Sequence, residues 1–324
     1  MALIEVEHLT ITLATAQERV SVVRDVSFAL HPGGTLGIVG ESGSGKSLTA
    51  LALMGLLPES AQVSGCINFG GKNLARLDDS AMCSLRGNDI TMVFQEPMTA
   101  LNPLHRIGAQ IAEPLRLHRG LGRAQALGRA IALMQRVGLD DPARRAQSYP
   151  HELSGGQRQR AMIAIALACG PKLLIADEPT TALDTTTQAD ILGLIRDLVA
   201  ASGMALLLIS HDLAVISQNV THVLVFYAGE IVESGAVADV LARPAHPYTR
   251  SLMAARPGLA KAGARLQTIE GVAPKPGQLP PGCSFAPRCG YSIQACGSAR
   301  PALESMGGGH CVRCIRPEAR EPVA

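Results

Sequence analysis

Short apolar runs alternate with longer amphipathic stretches along the first 235 residues, and this alternation predicts strands and helices in turn. Residues 3–13 and Val22–Leu30 alternate between apolar and polar side chains, as half-buried strands do. Thr35–Val39, Leu173–Ala176 and Ala205–Ser210 are continuous apolar runs of the length of buried strands. Because helical patterns separate them, the chain predicts an α/β fold with a mostly parallel sheet.

Helical patterns fill most of the intervals, and apolar runs broken by glycine predict two antiparallel hairpins. The predicted helices span Ser47–Leu57, 106–138, 186–200 and part of Ala236–Ala255. The hairpins involve Cys66–Phe69 followed by Gly70-Gly71, and Leu224–Tyr227 followed by Glu230–Glu233. We therefore divide the chain into a domain of residues 1–255, with its core in 1–235, and a Pro/Gly linker with an irregular Cys-rich extension in 256–324.

Composition narrows the classes of function. The net charge of +2 and the absence of a Lys/Arg-rich block give no indication of a nucleic-acid partner. The N-terminal residues lack the basic and apolar regions of a signal peptide, and the longest apolar segments are far shorter than the roughly 20 residues of a membrane span. We therefore expect a protein that reaches a membrane only through a partner.

A glycine-rich loop between the predicted strand Thr35–Val39 and the following helix matches the phosphate-loop pattern G-x-x-x-x-G-K-[ST]. Its residues are Gly40, Glu41, Ser42, Gly43, Ser44, Gly45, Lys46 and Ser47. The glycines let backbone N–H groups converge on phosphate oxygens, and the helix N-terminus adds positive potential. Lys46 is suited to bind the β- and γ-phosphates, and Ser47 to bind Mg²⁺. The strand–loop–helix context favours a nucleotide site over a simple glycine-rich turn.

Two acidic residues, Asp177 and Glu178, end the apolar run Leu173–Ala176. Acids at the end of a buried strand are costly unless they meet a cation, so Asp177 is suited to hold Mg²⁺ and Glu178 to act as a general base. The alternative is that the two acids only cap the strand. The phosphate loop upstream favours the functional role over this alternative. His211, after Ala205–Ser210, would lie at the ligand crevice and could contact the γ-phosphate, although a histidine at a strand end is more often a surface residue.

Leu153-Ser154-Gly155-Gly156-Gln157 precedes an Ala/Ile-rich segment that predicts a helix from Gly155 to about Cys169. Ser154 is suited to cap this helix, and the free N–H groups at its start form a second candidate anion site. A cap alone does not explain why two glycines are followed by glutamine.

This pentapeptide resembles the signature sequence of the ABC ATPase family, and further motifs occur in that family's order. Gln95 resembles the glutamine-loop residue that contacts Mg²⁺ or water, Ala182-Leu183-Asp184 resembles the loop at the dimer interface, and His211 resembles the switch histidine. The resemblance covers about residues 1–235. It implies a P-loop NTPase fold of the ABC type, with an antiparallel β edge and a helical signature subdomain at about residues 97–165.

The resemblance also implies how the site works. ATP lies between the phosphate loop of one subunit and the signature helix of another, so a second ABC ATPase subunit is required, with a paralogue favoured over a second copy. The residues implied for catalysis are Glu178, His211 and Gln95. Those implied for Mg²⁺ are Ser47, Gln95 and Asp177. Those implied to contact nucleotide across the dimer interface are Ser154, Gly155, Gly156, Gln157 and Asp184. Because these residues are intact, a regulatory subunit that binds ATP without hydrolysing it is not expected.

One departure from the family pattern lies upstream of the phosphate loop. The family stacks adenine on an aromatic side chain there, and this chain has Val20. A stacking contribution of about 0.5–1.5 kcal/mol would be missing, so we expect weaker selectivity for the base rather than lost binding.

His246-Pro247-Tyr248-Thr249, Pro280–Cys289 and Glu96–Pro103 resemble segments of the ATP-binding subunits of dipeptide, oligopeptide and nickel importers. The resemblance implies import of a short peptide, with two integral-membrane permeases, an external solute-binding protein and a peripheral position at the cytoplasmic face of the inner membrane. Nickel or another small solute is an alternative cargo. A non-transport ABC ATPase is a further alternative, against which stand the single phosphate loop and the lack of sustained heptads at residues 106–145.

Five of the eight cysteines lie in the last 42 residues, and clustered thiols in a chain without a secretion signal more often bind metal than form disulfides. Four of them are candidate ligands: Cys283, Cys289, Cys296 and Cys314. Four thiolates suit zinc or an iron–sulfur cluster, and their wide spacing favours a cluster. The importer resemblance points to [4Fe-4S], with zinc and free structural thiols as alternatives. Cys311 leaves the identity of the fourth ligand ambiguous.

Overall fold

The computed structural model describes residues 1–15, 18–181, 183–255 and 269–317, so part of the predicted linker and Ala182 of the interface loop lie outside the described residues. Within these ranges the strands are β1 (Ile4–Ala14), β2 (Arg19–Leu30), β3 (Thr35–Val39), β4 (Ala61–Phe69), β5 (Lys72–Asn73), β6 (Ile90–Val93), β7 (Leu173–Asp177), β8 (Ala205–Ser210), β9 (His222–Tyr227), β10 (Glu230–Ala236), β11 (Glu304–Gly307) and β12 (His310–Val312). The α-helices there are α1 (Lys46–Met54), α2 (Asp79–Leu85), α3 (Pro97–Ala100), α4 (Ile107–Arg119), α5 (Arg123–Arg136), α6 (Pro142–Arg145), α7 (Gly155–Leu167), α8 (Thr185–Ser202), α9 (Leu213–Asn219), α10 (Val237–Ala242) and α11 (Pro247–Ala254).

The chain forms two compact units, each built from more than one segment. Unit 1 comprises Met1–Leu3, Leu30–Gly34 and Arg76–Ile209. Unit 2 comprises Ile4–Ala29, Thr35–Ala75 and Ser210–Ala324. Across the described ranges, we find no helix with the length and apolar character needed to cross a membrane.

Unit 1 contains a parallel sheet of β6, β7 and β8. Ile90 lies opposite Leu173, and Leu173 lies opposite Ala205. Every residue of these three strands is buried, which explains why the sequence shows continuous apolar runs rather than alternation. Asp177 therefore ends a buried strand, and the residues after β8 directly follow one.

The helices α4, α5 and α7 of unit 1 pack against one another. The predicted helical stretch 106–138 is divided between α4 and α5 because Gly120, with φ of 63°, ends α4 in the left-handed conformation. The helix α5 then buries Ala126, Ala130 and Met134, which lie at four-residue spacing on one face.

Unit 2 contains two sets of strands. One is an antiparallel sheet in the order β2-β1-β4-β5. In the other, β3 pairs in parallel with β9, and β9 pairs antiparallel with β10. The antiparallel edge and the hairpin of β9 and β10 agree with prediction. The strand β4 starts at Ala61, earlier than the predicted Cys66, because its first residues are mostly exposed and form no continuous apolar run.

The Cys-rich extension is less irregular than predicted. Its strands β11 and β12 form a hairpin, and β12 pairs with β10 through Glu233 opposite Val312 and Ser234 opposite Cys311. The extension is also attached by charge, since the buried Glu230 forms ion pairs with Arg24 at 3.0 Å and with Arg300. This hairpin was not predicted because the two strands are short and glycine-rich at their turn, which gives no periodic signal.

Candidate functional site

The phosphate loop joins β3 to α1 in unit 2, as the sequence predicts. At Gly40, a Cβ atom would lie only 2.1 Å from the Phe226 carbonyl oxygen, so no side chain fits. Gly45 has φ of 101°, a conformation that favours glycine, and directly precedes α1. The glycines thus allow the loop to pass close to β9 and then turn into the helix.

Lys46 is enclosed by the loop that carries it. Its Nζ donates to the carbonyl oxygens of Gly40 at 2.8 Å and Glu41 at 2.9 Å, and the residue is 4% exposed. Ser47 follows in the first turn of α1 and is exposed. The cation therefore lies within the loop and the hydroxyl lies at its surface.

Two residues in contact with this loop could not be identified from sequence. The N–H of Glu41 donates to the Tyr248 hydroxyl at 2.9 Å, and the Glu41 carboxylate accepts two hydrogen bonds from Arg288 at 2.8 and 3.0 Å. Arg288 is 247 positions from Glu41 in the sequence, so no local pattern links them. Their only signal is membership of the His246–Thr249 and Pro280–Cys289 segments, which resemble importer subunits.

Unit 1 contains the predicted carboxylate pair and brings Gln95 to it. Asp177 is the last residue of β7 and is buried. Glu178 follows with φ of 44°, in the left-handed region, and its N–H donates to the Ile209 carbonyl oxygen at 3.0 Å. Gln95 Nε2 lies 3.4 Å from Glu178 Oε2, and Thr181 Oγ1 donates to the same oxygen at 3.1 Å. Thr181 is a contact that sequence reasoning missed.

The start of α7 has the predicted cap, and the structure also gives a reason for the two glycines and the glutamine that follow Ser154. Ser154 Oγ accepts from the Gln157 N–H at 3.3 Å, and Gln157 Oε1 accepts from the Ser154 N–H at 3.1 Å, forming a capping box. A Cβ atom at Gly156 would lie 2.9 Å from Thr187 Cγ2, and one at Gly155 would lie 3.3 Å from a Leu183 methyl group. Both glycines and Gln157 therefore have structural reasons that the sequence did not reveal.

Asp184 has a structural role at the start of α8. Its carboxylate accepts from the Thr187 N–H at 3.0 Å and from the Thr187 hydroxyl at 2.7 Å. These hydrogen bonds lower the pKa of the exposed Asp184 carboxyl. Asp184 is thus an N-cap that stays ionised, next to the start of the signature helix through Thr187 and Gly156.

His211 and Val20, the remaining predicted nucleotide contacts, lie in unit 2. His211 directly follows β8 and is exposed. Val20 lies on β2 and is 8% exposed, and a Cβ atom at Gly277 in the extension would lie 3.4 Å from it. The extension therefore covers the position where an adenine-stacking ring was expected.

Four cysteines of the extension line a common cavity: Cys283, Cys289, Cys296 and Cys314. Burial raises the pKa of Cys283, and the charges of Cys314 and Cys296 add to the effect. Burial likewise raises the pKa of Cys289 and Cys314, again with contributions from neighbouring thiolates. Cys311 is not among the lining residues and instead lies on β12. Across the described ranges, no group of three or more His, Cys, Asp or Glu side chains could hold a metal ion.

His246 also lines this cavity. Its Nδ1 accepts from the Tyr248 N–H at 3.1 Å. Burial, with a smaller contribution from Arg250, lowers the pKa of the imidazole to about 3, so the ring is neutral at pH 7 and carries its proton on Nε2. In the part of the chain that the structure describes, this Nε2 has no hydrogen-bond partner although the residue is 1% exposed.

Comparison with known proteins decides the family. A family model described as ABC transporter matches residues 23–181, and one described as oligopeptide/dipeptide transporter, C-terminal region, matches residues 232–296. A protein of Brucella abortus (strain 2308), named as a peptide import ATP-binding protein, is 49% identical over 327 residues, with 97% of each chain covered. The chain belongs to the ATP-binding proteins of ABC transporters.

Other members of this family are similar over nearly the same length. The oligopeptide transport ATP-binding protein OppD of Salmonella typhimurium (strain LT2) is 46% identical over 315 residues, covering 97% of this chain and 94% of OppD. The dimeric ATP-binding cassette MJ0796, in a post-hydrolysis state bound to ADP and Pi, is 28% identical with a TM-score of 0.65, covering 72% of this chain and 98% of MJ0796. The predicted ABC-type fold and ATPase class are thereby confirmed.

Proposed function

We propose that this ABC ATPase energises the import of dipeptides or oligopeptides. The observation that carries the proposal is the match of residues 232–296 to the C-terminal region of oligopeptide/dipeptide transporters, which extends beyond the ATPase motifs. Two full-length relatives carry peptide import or oligopeptide transport in their names. An importer for nickel or another small solute is the second candidate, because the tail segments resemble importers of both cargo classes.

The test uses the chain assembled with its membrane partners in lipid vesicles. We expect a peptide-loaded solute-binding protein to stimulate ATP hydrolysis. We expect this hydrolysis to move peptide into the vesicles. Stimulation by a nickel-loaded binding protein, with none by peptide, would replace the first candidate by the second. Hydrolysis that ignores every binding protein would contradict an importer of either kind.

The residue roles follow from the motifs and from the contacts within each unit. We assign Lys46 and the loop amides to the phosphates, Ser47 and Asp177 to Mg²⁺, and Glu178 to the attacking water. Gln95 would orient that water or Mg²⁺, and its contact with the Glu178 carboxylate supports this role. His211 is assigned to the γ-phosphate.

The assignments to a second subunit concern the start of α7 and the residue before α8. Ser154, Gly155, Gly156 and Gln157 with Asp184 would contact nucleotide held by that subunit. The capping box leaves the other N–H groups at the start of α7 available to an anion.

The assembly we propose contains a paralogous ATPase subunit, two permeases and an external solute-binding protein, with this chain at the cytoplasmic face of the inner membrane. Residues 1–255 would form the ATPase domain, and 256–324 the linker and extension. Adenine would be bound without an aromatic stacking partner at position 20, because Val20 has no ring.

We also propose that the cysteine-lined cavity holds a [4Fe-4S] cluster. Four thiols share one cavity, and their wide spacing along the sequence favours a cluster over zinc. His246, with its unsatisfied N–H, lines the same cavity and fits a sulfur-rich occupant. When bound, the cluster would supply iron–thiolate bonds that tie together three short segments with little core of their own.

Anaerobic purification of the full chain tests the cluster. We expect about four irons and four sulfides per chain, with Cys314→Ser losing them and Cys311→Ser keeping them. One zinc and no sulfide per chain would assign the cavity to zinc. If the purified chain holds no metal and Cys314→Ser does not change its unfolding temperature, the cysteines are free structural thiols.

A further inference from the structure

The Cys-rich extension contacts the phosphate loop through Arg288. Its guanidinium donates from Nη1 to Glu41 Oε2 at 2.8 Å and from Nη2 to Glu41 Oε1 at 3.0 Å. The Arg288 side chain is 5% exposed and that of Glu41 is 27% exposed, so water has little access to the pair. A bidentate arginine–carboxylate pair combines charge with two directional hydrogen bonds. It therefore fixes both the distance and the orientation of Glu41.

Arg288 is itself held from several sides. Its Nε donates to the Glu270 carbonyl oxygen at 2.9 Å, and its Nη1 also donates to the Tyr227 hydroxyl at 3.3 Å. Burial lowers the pKa of the guanidinium, but the hydrogen bonds to Glu41 and Tyr227 outweigh burial and raise it above its ordinary value. The guanidinium is thus a permanent cation in a fixed position.

The backbone of Glu41 is held as well as its side chain. The Glu41 N–H donates to the Tyr248 hydroxyl at 2.9 Å, and its carbonyl oxygen accepts from Lys46 Nζ at 2.9 Å. Tyr248 is fully buried, with its ring centroid 4.7 Å from that of Tyr227 and 5.4 Å from that of Phe285. One residue of the loop is therefore held at its amide, carbonyl and carboxylate, and Arg288 supplies the charged contact.

We propose that Arg288 is a positioning residue for the phosphate loop: by clamping Glu41, it keeps the loop in the conformation that accepts the nucleotide phosphates. Arg288 directly precedes Cys289, one of the cysteines that line the cavity. The inference rests on this loop binding ATP and does not depend on what occupies the cavity. Because binding couplings are reciprocal, bound nucleotide also strengthens the clamp.

The alternative is that the pair only anchors the extension. Arg300 provides the matched control, because it belongs to the same extension and anchors it on Asp25 and Glu230 rather than on the phosphate loop. Arg300→Gln removes the same charge as Arg288→Gln. A merely anchoring role predicts that both variants lower the unfolding temperature and that neither changes nucleotide affinity selectively.

The experiment measures binding of a non-hydrolysable ATP analogue with Mg²⁺ to the full chain by calorimetry. We expect Arg288→Gln and Glu41→Gln each to weaken binding about 10-fold, the double variant to weaken it no further, and Arg300→Gln to stay within about twofold. In the assembled transporter, Arg288→Gln should raise KM for ATP with little change in kcat. The charge swap Arg288→Glu with Glu41→Arg should recover part of the loss.

Two results would overturn the proposal. One is unchanged affinity in Glu41→Gln, which removes the same ion pair from the side of the loop and substitutes no residue of the extension. The other is an equal loss in Arg300→Gln, which would attribute the effect to a loosened extension. Lys46→Ala tests separately whether the loop binds nucleotide. Normal ATP binding in that variant would refute the nucleotide site. Loss of ATP binding in that variant supports the nucleotide site, and the comparison of Arg288→Gln with Arg300→Gln then tests the positioning role.

Discussion

Gln95 Nε2 lies 3.4 Å from Glu178 Oε2, although the two residues are 83 positions apart in the sequence. Thr181 Oγ1 donates to the same oxygen at 3.1 Å. Glu178 also has a positive φ of 44°, and such conformations persist in non-glycine residues where the surrounding structure enforces them, often at functional sites. The carboxylate is therefore oriented by two side-chain donors and by its own backbone, as a group that must orient a water molecule requires.

Replacing this carboxylate tests its role as the base. We expect Glu178→Gln to retain ATP binding and to lower hydrolysis in the assembled transporter by about 100-fold or more, because an amide of the same size cannot accept the proton. Phosphate release and retained nucleotide, measured on one sample, report both properties. Thr181→Val is the matched variant, since it removes one donor and leaves the carboxylate, and a loss of about 10-fold or less is expected. Normal turnover in Glu178→Gln would exclude it as the base.

The glycines of the signature sequence yield a second prediction. Alanine at Gly156 would place its Cβ atom 2.9 Å from Thr187 Cγ2, so the start of α7 must move relative to α8. We expect Gly156→Ala to lower hydrolysis in the assembled transporter, to leave ATP affinity of the isolated chain unchanged, and to destabilise the fold by about 1–3 kcal/mol. Denaturant unfolding and ATP titration provide the two measurements.

Gly128 provides the control for this variant, because it lies within α5 and a methyl group added there would meet open space. Gly128→Ala should be neutral or stabilising by about 0.5–1 kcal/mol and should leave hydrolysis unchanged. If Gly156→Ala behaves in the same way, the contact between the two helix starts has no part in catalysis.

A third prediction concerns the buried Glu233, which joins three parts of unit 2. Its carboxylate accepts from the N–H groups of Ala245 and His246, each at 2.8 Å, and lies 2.8 Å from His310 Nε2. Because Glu233→Ala leaves these groups buried without an acceptor, we expect a loss of about 3–5 kcal/mol in the free energy of unfolding. Asp197→Ala, which breaks an exposed pair with Arg196, should change it by less than about 0.5 kcal/mol. Similar values for both would contradict the assigned role.

The sequence predicted those features whose signal is local. Thr35–Val39 and Ala205–Ser210 are strands with the predicted bounds because nearly every position is apolar and turn residues flank them. The phosphate loop was found because the residues that surround a phosphate are contiguous, and each must be of a particular type.

Features that depend on distant segments were missed for the opposite reason. The Arg288–Glu41 contact spans 247 positions, and neither residue belongs to a pattern that requires the other. The spacing of Gly156 from Thr187 is set by how α7 meets α8, which no periodicity encodes. The hairpin of β11 and β12 was missed because all residues of β11 are exposed.

The last prediction concerns His246, which lines the cysteine-lined cavity and whose Nε2–H lacks an acceptor in the described part of the chain. A donor next to cluster sulfur stabilises the added negative charge of the reduced state and so raises the reduction potential. We expect His246→Phe, which keeps a ring of similar size, to lower the potential of the proposed cluster by about 50 mV, the equivalent of one hydrogen bond. His246→Asn, whose side-chain amide can still donate a hydrogen bond, should have a reduction potential between those of the unmodified protein and His246→Phe. Redox titration of the anaerobically purified full chain, followed by electron paramagnetic resonance, measures the shift. Equal potentials in all three proteins would show that the imidazole does not donate to the cluster, and a cavity filled with zinc would give no redox signal at all.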